Sequence, residues 1–238
     1  MLDYDTVVIG SGAGGLGANI AGTPVNDIFN RGQNKYISAD SQPLQLVFGF
    51  NYQMPAFASN PWVRAIQRDW TLGGVFRYAS GLPILAPAAQ NSLSTLLFRG
   101  TYANRAPGQP LFIKDPNCHC IDPNRDFILN AAAWSDPAPG QFGTSAAYYN
   151  DYRYARRPAE SASLGRLFRM REAMSLEIRA EFFNIFNRTE FNNPDSTNAL
   201  AAQVRNAAGV PTAGFGRVNP GSVFSTPRSG QLVARFQF

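Results

Sequence analysis

Four separate stretches of this chain alternate apolar and polar side chains with a period of two, a pattern that fits a β-strand and no helix. In residues 43–54, Leu44, Leu46, Phe48, Phe50, Tyr52 and Met54 fall on one face, with Gln45, Val47, Gly49, Asn51 and Gln53 on the other. Within residues 69–80, Trp70, Leu72, Gly74, Phe76 and Tyr78 oppose Thr71, Gly73, Val75 and Arg77. Residues 173–183 set Met174, Leu176, Ile178, Ala180 and Phe182 against Ser175, Glu177, Arg179 and Glu181. The last stretch sets Leu232, Ala234, Phe236 and Phe238 against Gln231, Val233, Arg235 and Gln237. A fifth run, residues 161–170, is less regular because Arg166 shares a face with Leu164 and Phe168. Composition agrees: only 16% of residues are charged and 13% are aromatic, with 21 Gly and 17 Pro, which suits strands and turns better than a helical bundle. The fold class expected is all-β and antiparallel.

A soluble sandwich and a transmembrane barrel both produce strands with one apolar face. Three features favour the barrel. The alternating runs are about ten residues long, the ~9–11 that cross a bilayer at a tilt, whereas soluble strands run about 5–6. The polar faces carry charge in mid-strand, so Arg77, Glu177, Arg179, Glu181 and Arg235 are expected to face a wet lumen, Glu177, Arg179 and Glu181 in a ladder with their neighbours. Tyr52, Trp70, Tyr78 and Phe182 sit near strand ends, where an interfacial girdle belongs. Connections give an independent check. A modest linker joins the first two runs and a tight turn at Arg171 and Glu172 joins the next two, while residues 87–160 and the stretch from Asn187 onward are long and polar. Short periplasmic turns alternating with long extracellular loops have this form, and they leave the C-terminus on the periplasmic side.

Competing features weigh less. Gly10, Gly12 and Gly15 give G-x-G-x-x-G after the apolar run Val7-Val8-Ile9, the spacing of a flavin- or nicotinamide-binding turn. Gly17, Gly22 and Pro24 then interrupt the helix such a fold needs, and Asp27 follows no strand. An FAD- or NAD-binding oxidoreductase stands as the alternative; the main expectation is no cofactor and no enzymatic activity. Cys118, His119 and Cys120 are too close together to converge on one metal ion and are read as a structural loop, oxidised or reduced. Glu177 and Glu181 would lie ~13 Å apart on one strand, too far for a glycosidase pair. The net charge of +5 is almost all arginine and is scattered, so nucleic acid is not an expected partner. The first residues show no secretion signal, and no window approaches the ~20 apolar residues of a membrane helix.

The sequence "LEIRAEFFNIFNRTEFNNP", then "GFGRV", "TPRSGQLVARFQF" and the terminal Phe238, resembles the C-terminal end of a TonB-dependent outer-membrane receptor of the Oar-like group common in acidobacteria. Upstream pieces such as "WTLGGVFRYASGLPI" and "SLGRLFRMREAMSL" appear in the family's order, so that the resemblance covers residues 25–238, and residues 1–24 stand apart as a Gly-rich stretch. It implies strands of a plugged barrel in the outer membrane that imports nutrients, with TonB engaged only through a plug domain. Signal peptide, plug and most strands are expected to be missing, so the chain is expected to be a piece that does not transport alone, since lipid does not tolerate unpaired edges. Outer-membrane lipid and the barrel-assembly machinery are the partners implied. The alternating Leu232, Ala234, Phe236 and Phe238 resemble the strand signal that the assembly machinery reads.

Overall fold

The structure is a computed structural model that describes residues 26–27, 29–91, 93, 100–118, 120–171 and 174–238. In chain order its strands are β1 (Gln45–Gln53), β2 (Trp70–Ala79), β3 (Pro83–Leu85), β4 (Asn104–Arg105), β5 (Trp134–Ser135), β6 (Tyr148–Arg153), β7 (Ala159–Arg171), β8 (Met174–Phe183), β9 (Val204–Arg205), β10 (Pro211–Ala213) and β11 (Ser229–Gln237). A helix, α1 (Pro61–Gln67), lies between β1 and β2. Among the described residues no helix is long and apolar enough to cross a membrane. The chain divides into two units.

One unit comprises Pro43–Ser80, Arg156–Glu190 and Val223–Phe238. It holds a five-stranded sheet in the order β1-β2-β7-β8-β11, antiparallel throughout. All five alternating runs of the sequence are there, with bounds moved by a residue or two. Directly opposed residues share a face of a sheet, so register decides whether the runs agree with one another. They do. Tyr52, Leu72, Leu164, Ala180 and Leu232 form one row of partners across all five strands. The row Asn51, Gly73, Ser163, Glu181 and Gln231 crosses on the opposite face. A one-residue slip at any pairing would have mixed the two sets.

The strand ends sort by connection length. Gln53, Trp70, Arg171, Met174 and Gln237 gather at one end, where the links are residues 54–69 and the two residues after Arg171. Gln45, Ala79, Ala159, Phe183 and Ser229 gather at the other, and there the links are residues 80–158 and 184–228. Every short connection is on one side and every long one on the other, the asymmetry the sequence predicts.

The second unit comprises Gly81–Ala155, Phe191–Ser222 and the described part of Met1–Gln42. It contains the hydrophobic core: Ile84, Leu129 and Tyr152 are wholly buried, packed with Tyr102, Trp134 and Phe215. Short pairs β3–β6, β4–β5 and β9–β10 brace it. Arg153 fastens two of its segments, with Nη1 donating to Ser41 O at 2.5 Å and Gly81 O at 3.1 Å, and Nη2 donating to Asn150 Oδ1 at 2.8 Å. Arg105 Nη2 reaches Asp151 Oδ2 at 2.5 Å, and its guanidinium lies 4.7 Å from the ring centroid of Tyr149. The polar loops expected from residue 87 onward therefore fold around a core of their own.

Candidate functional site

Apolar side chains in a sheet normally pack against a second layer, which is what stabilises the sheet. In the sheet unit they do not. Leu46, Phe48, Tyr52, Leu164 and Phe168 are exposed on the apolar face, and Leu232 and Phe236 are 74% and 47% exposed. A soluble sandwich would bury both. An apolar surface five strands wide has to meet an apolar phase.

Two glycines shape that surface. Phe50 faces Gly74 across β1 and β2, and its ring lies over the bare backbone and stacks with Phe76, centroids 6.1 Å apart and 8° from parallel. Phe182 covers Gly230 in the same way. Tyr52 and Trp70 stand at the short-connection end, Tyr78 and Phe182 at the other, so aromatic residues mark both ends of the strands.

Register places Arg77, Glu177, Arg179, Glu181 and Arg235 together on the polar face. Arg179 Nε reaches Glu181 Oε1 at 2.9 Å along the same strand, and Glu181 Oε2 accepts a hydrogen bond from Gln231 Nε2 on β11. Glu177 is the direct cross-strand partner of Arg235. Polar contacts thus run along β8 from Arg179 to Glu181 and across to Gln231 on β11. Ser175 Oγ extends the polar contacts to Gln237 Oε1 at 3.4 Å.

Leu232, Ala234 and Phe236 share the apolar face of β11, which among the described residues pairs only with β8 and so forms an edge of the sheet. Phe238 comes directly after the strand, 94% exposed, with its ring centroid 6.1 Å from that of Phe236. Cys118 and Cys120 are joined in a disulfide, which withdraws both sulfurs from metal binding. Among the described residues no cluster of three His, Cys, Asp or Glu side chains could hold a metal. Gly10, Gly12, Gly15 and His119 lie outside the described residues.

Sequence reasoning missed a charged cluster at the long-connection end. Glu160, near the start of β7 and opposite Phe76, is buried, and its Oε1 accepts from Arg188 Nε at 2.9 Å. Asn184 and Asn187, both with φ 49°, curl the chain after β8, and Asn184 Oδ1 accepts from Arg188 N at 2.8 Å. Glu190 joins them: its backbone N–H donates to Ser225 Oγ at 2.9 Å. Burial pushes the Glu190 carboxyl above the usual range, Arg157 and Arg188 pull it down, and Glu160 pushes it up. No periodicity announces such a cluster, because its members come from three separate segments.

A family model described as an outer membrane beta barrel domain matches residues 8–231, a span that includes Gly10, Gly12 and Gly15. No curated protein and no solved structure matches the chain.

Proposed function

The chain belongs to the outer membrane beta barrel domain family, and from that premise we propose that it supplies barrel strands to a non-enzymatic importer of the TonB-dependent kind. The family puts it in the bacterial outer membrane. There, barrel strands turn an apolar band to lipid and a polar surface inward. The observation that carries the reading is the register: five strands with one unbroken apolar row and one polar row, with Tyr52, Leu164 and Leu232 of the apolar row exposed.

Support for an importer, beyond a barrel, comes from the resemblance of residues 25–238 and from the charged inner face. Arg77, Glu177, Arg179, Glu181 and Arg235 suit a lumen lined for water and for a polar plug. The barrel-assembly machinery would read Leu232, Ala234, Phe236 and Phe238 by strand addition to the open edge of β11. TonB would act through the plug, and outer-membrane lipid would cover the apolar face.

Single-cysteine labelling tests both levels. The chain's two cysteines are paired with each other, so an introduced cysteine is its one reactive thiol. In cells carrying the outer-membrane protein that contains this chain, Leu232→Cys should react with a lipid-soluble maleimide and Arg179→Cys with a water-soluble one. Reaction at Arg179→Cys should depend on an energised TonB system, because a plug blocks the lumen otherwise. Equal labelling after the proton-motive force is collapsed would leave a barrel but remove the importer.

A further inference from the structure

The link between β1 and β2 contains more than a turn. Asn60 caps α1, its side chain accepting from Trp62 N at 3.0 Å, and Pro61 opens the helix with its preset φ. Seven residues are too few for a helix to persist in water unaided. Two side chains from the sheet hold its last turn. Trp70 Nε1 donates to Ile66 O at 2.8 Å, and Arg166 Nη2 donates to Ala65 O at 2.5 Å.

Trp70 and Arg166 are cross-strand partners on the apolar face. The helix is therefore held from the lipid side of the sheet and not from the lumen side. Arg166, which breaks the alternation of β7, stands over Trp70 at 5.3 Å and over Phe168 at 4.7 Å. An arginine on a lipid-facing surface belongs at headgroup depth, where its stem lies in the apolar region and its charge meets water and phosphate.

Despite that tether α1 buries none of its residues. Trp62 is 82% exposed, and Val63 and Ile66 are exposed with it. Ile66 lies four residues after Trp62 and three after Val63, so the three share one flank. Arg64 and Arg68 project from the same short segment, and Arg169 stands at the nearby end of β7. Asp69 partly offsets them, lying 3.6 Å from Arg68 and 3.2 Å from Arg169.

Apolar flank, tryptophan and basic side chains make the pattern of a helix lying in a membrane interface. Resting on the outer-membrane reading above, we propose that α1 is an interfacial anchor binding anionic phospholipid headgroups in the periplasmic leaflet. Trp62, Val63 and Ile66 enter the acyl boundary while Arg64, Arg68 and Arg166 meet the phosphates. A protein partner is disfavoured because α1 is tethered to apolar-face residues of the sheet, Trp70 and Arg166, and because the charge beside it is mainly positive. The anchor would fix the depth of β1 and β2 in the bilayer.

Depth-dependent fluorescence quenching tests this on the whole outer-membrane protein that contains this chain, folded into vesicles of phosphatidylglycerol and phosphatidylcholine. The difference between wild type and Trp62→Phe isolates the Trp62 signal. It should be blue-shifted and lose most of its intensity to bromine on acyl carbons close to the headgroup. A Leu232→Trp reporter, placed in the Trp62→Phe background, should respond to deeper bromine and so reports insertion of the sheet. With bromine carried on phosphatidylglycerol alone, Trp62 should be quenched more than with bromine on phosphatidylcholine alone. Arg64→Gln and Arg68→Gln should each cut that preference about fivefold. A Trp62 signal quenched by aqueous acrylamide, beside a quenched Leu232→Trp reporter, overturns the anchor and leaves the barrel reading standing. Equal quenching by the two lipids overturns the anionic preference. An unquenched Leu232→Trp reporter removes both readings together.

Discussion

The ring of Phe182 lies across the backbone of Gly230, its cross-strand partner, so that a Cβ built on Gly230 would come 3.1 Å from Cδ1 of the ring. Phe50 and Gly74 repeat the arrangement more tightly, at 2.6 Å. In both pairs the missing side chain is what lets the ring lie flat on the strand. Gly74→Val should displace Phe50 and lower the stability of the detergent-folded protein by about 1–3 kcal/mol. Combined with Phe50→Ala, it should lose less than the sum of the two single changes, since the clash is then gone. Urea unfolding in micelles measures all three variants, and strict additivity would mean the ring is not seated there.

Faces of the sheet can be told apart by a charge placed on each. Ala180 lies in the apolar row between Leu164 and Leu232, and Val233 on the polar face beside Arg179. Ala180→Arg should destabilise by about 2–4 kcal/mol, while Val233→Arg should be close to neutral. The opposite ranking in unfolding measurements would reverse lumen and lipid sides.

Phe238 touches little in the folded chain, so its value should lie in assembly. Phe238→Ala should reduce the amount of protein reaching the outer membrane in cells. The variant refolded in detergent should keep its stability to within about 0.5 kcal/mol. An equal loss in both experiments would make Phe238 an ordinary packing residue.

Tyr152, wholly buried, has a hydroxyl with no hydrogen-bond partner among the described residues. Burial raises its pKa, so the phenol stays neutral at any physiological pH. Tyr152→Phe should leave stability unchanged or raise it by about 1 kcal/mol. Tyr152→Ala, which empties the core between Trp134 and Phe112, should lose about 3–5 kcal/mol. Calorimetry decides; a marked loss in the phenylalanine variant would show that the hydroxyl is bonded.

Glu190 gives a pH signature of known sign. Its carboxyl titrates above the usual range, chiefly because it is partly withdrawn from water. The folded state therefore holds the proton more tightly than the unfolded chain, and stability rises as pH falls through the folded pKa. Above that pH the charged form opposes folding. Glu190→Gln should be the more stable protein at neutral pH and should lose this part of the acid-side gain. Urea midpoints across the mildly acidic range compare the two, and an unchanged slope would remove Glu190 as its source.

Period two makes the sheet legible because each strand carries its whole message in adjacent residues. β7 is the weakest strand because Arg166 and, near its start, Glu160 stand on its apolar face, and for Arg166 the reason is structural: it bonds to Ala65 O at the end of the sheet. The loop unit gives no such signal. Ile84, Tyr102, Leu129, Tyr152 and Phe215 come one at a time from distant segments, and only tertiary packing assembles them. Isolated apolar residues such as Trp134 and Tyr152 in a Pro- and Asn-rich stretch are the available hint. Asn60 and Pro61 carry a helix-start signature for α1, but seven residues are too short a run for apolar periodicity to show. The polar-face residues are legible by type and by face, whereas the bond from Glu181 to Gln231 needs the register.

Alternation of direction across the sheet sets a parity rule. With five antiparallel strands, β1 and β11 point the same way. Identical copies set side by side would meet at a parallel seam after every fifth strand, which an all-antiparallel cylinder does not contain. Whatever closes the wall between β11 and β1 must contribute an odd number of staves.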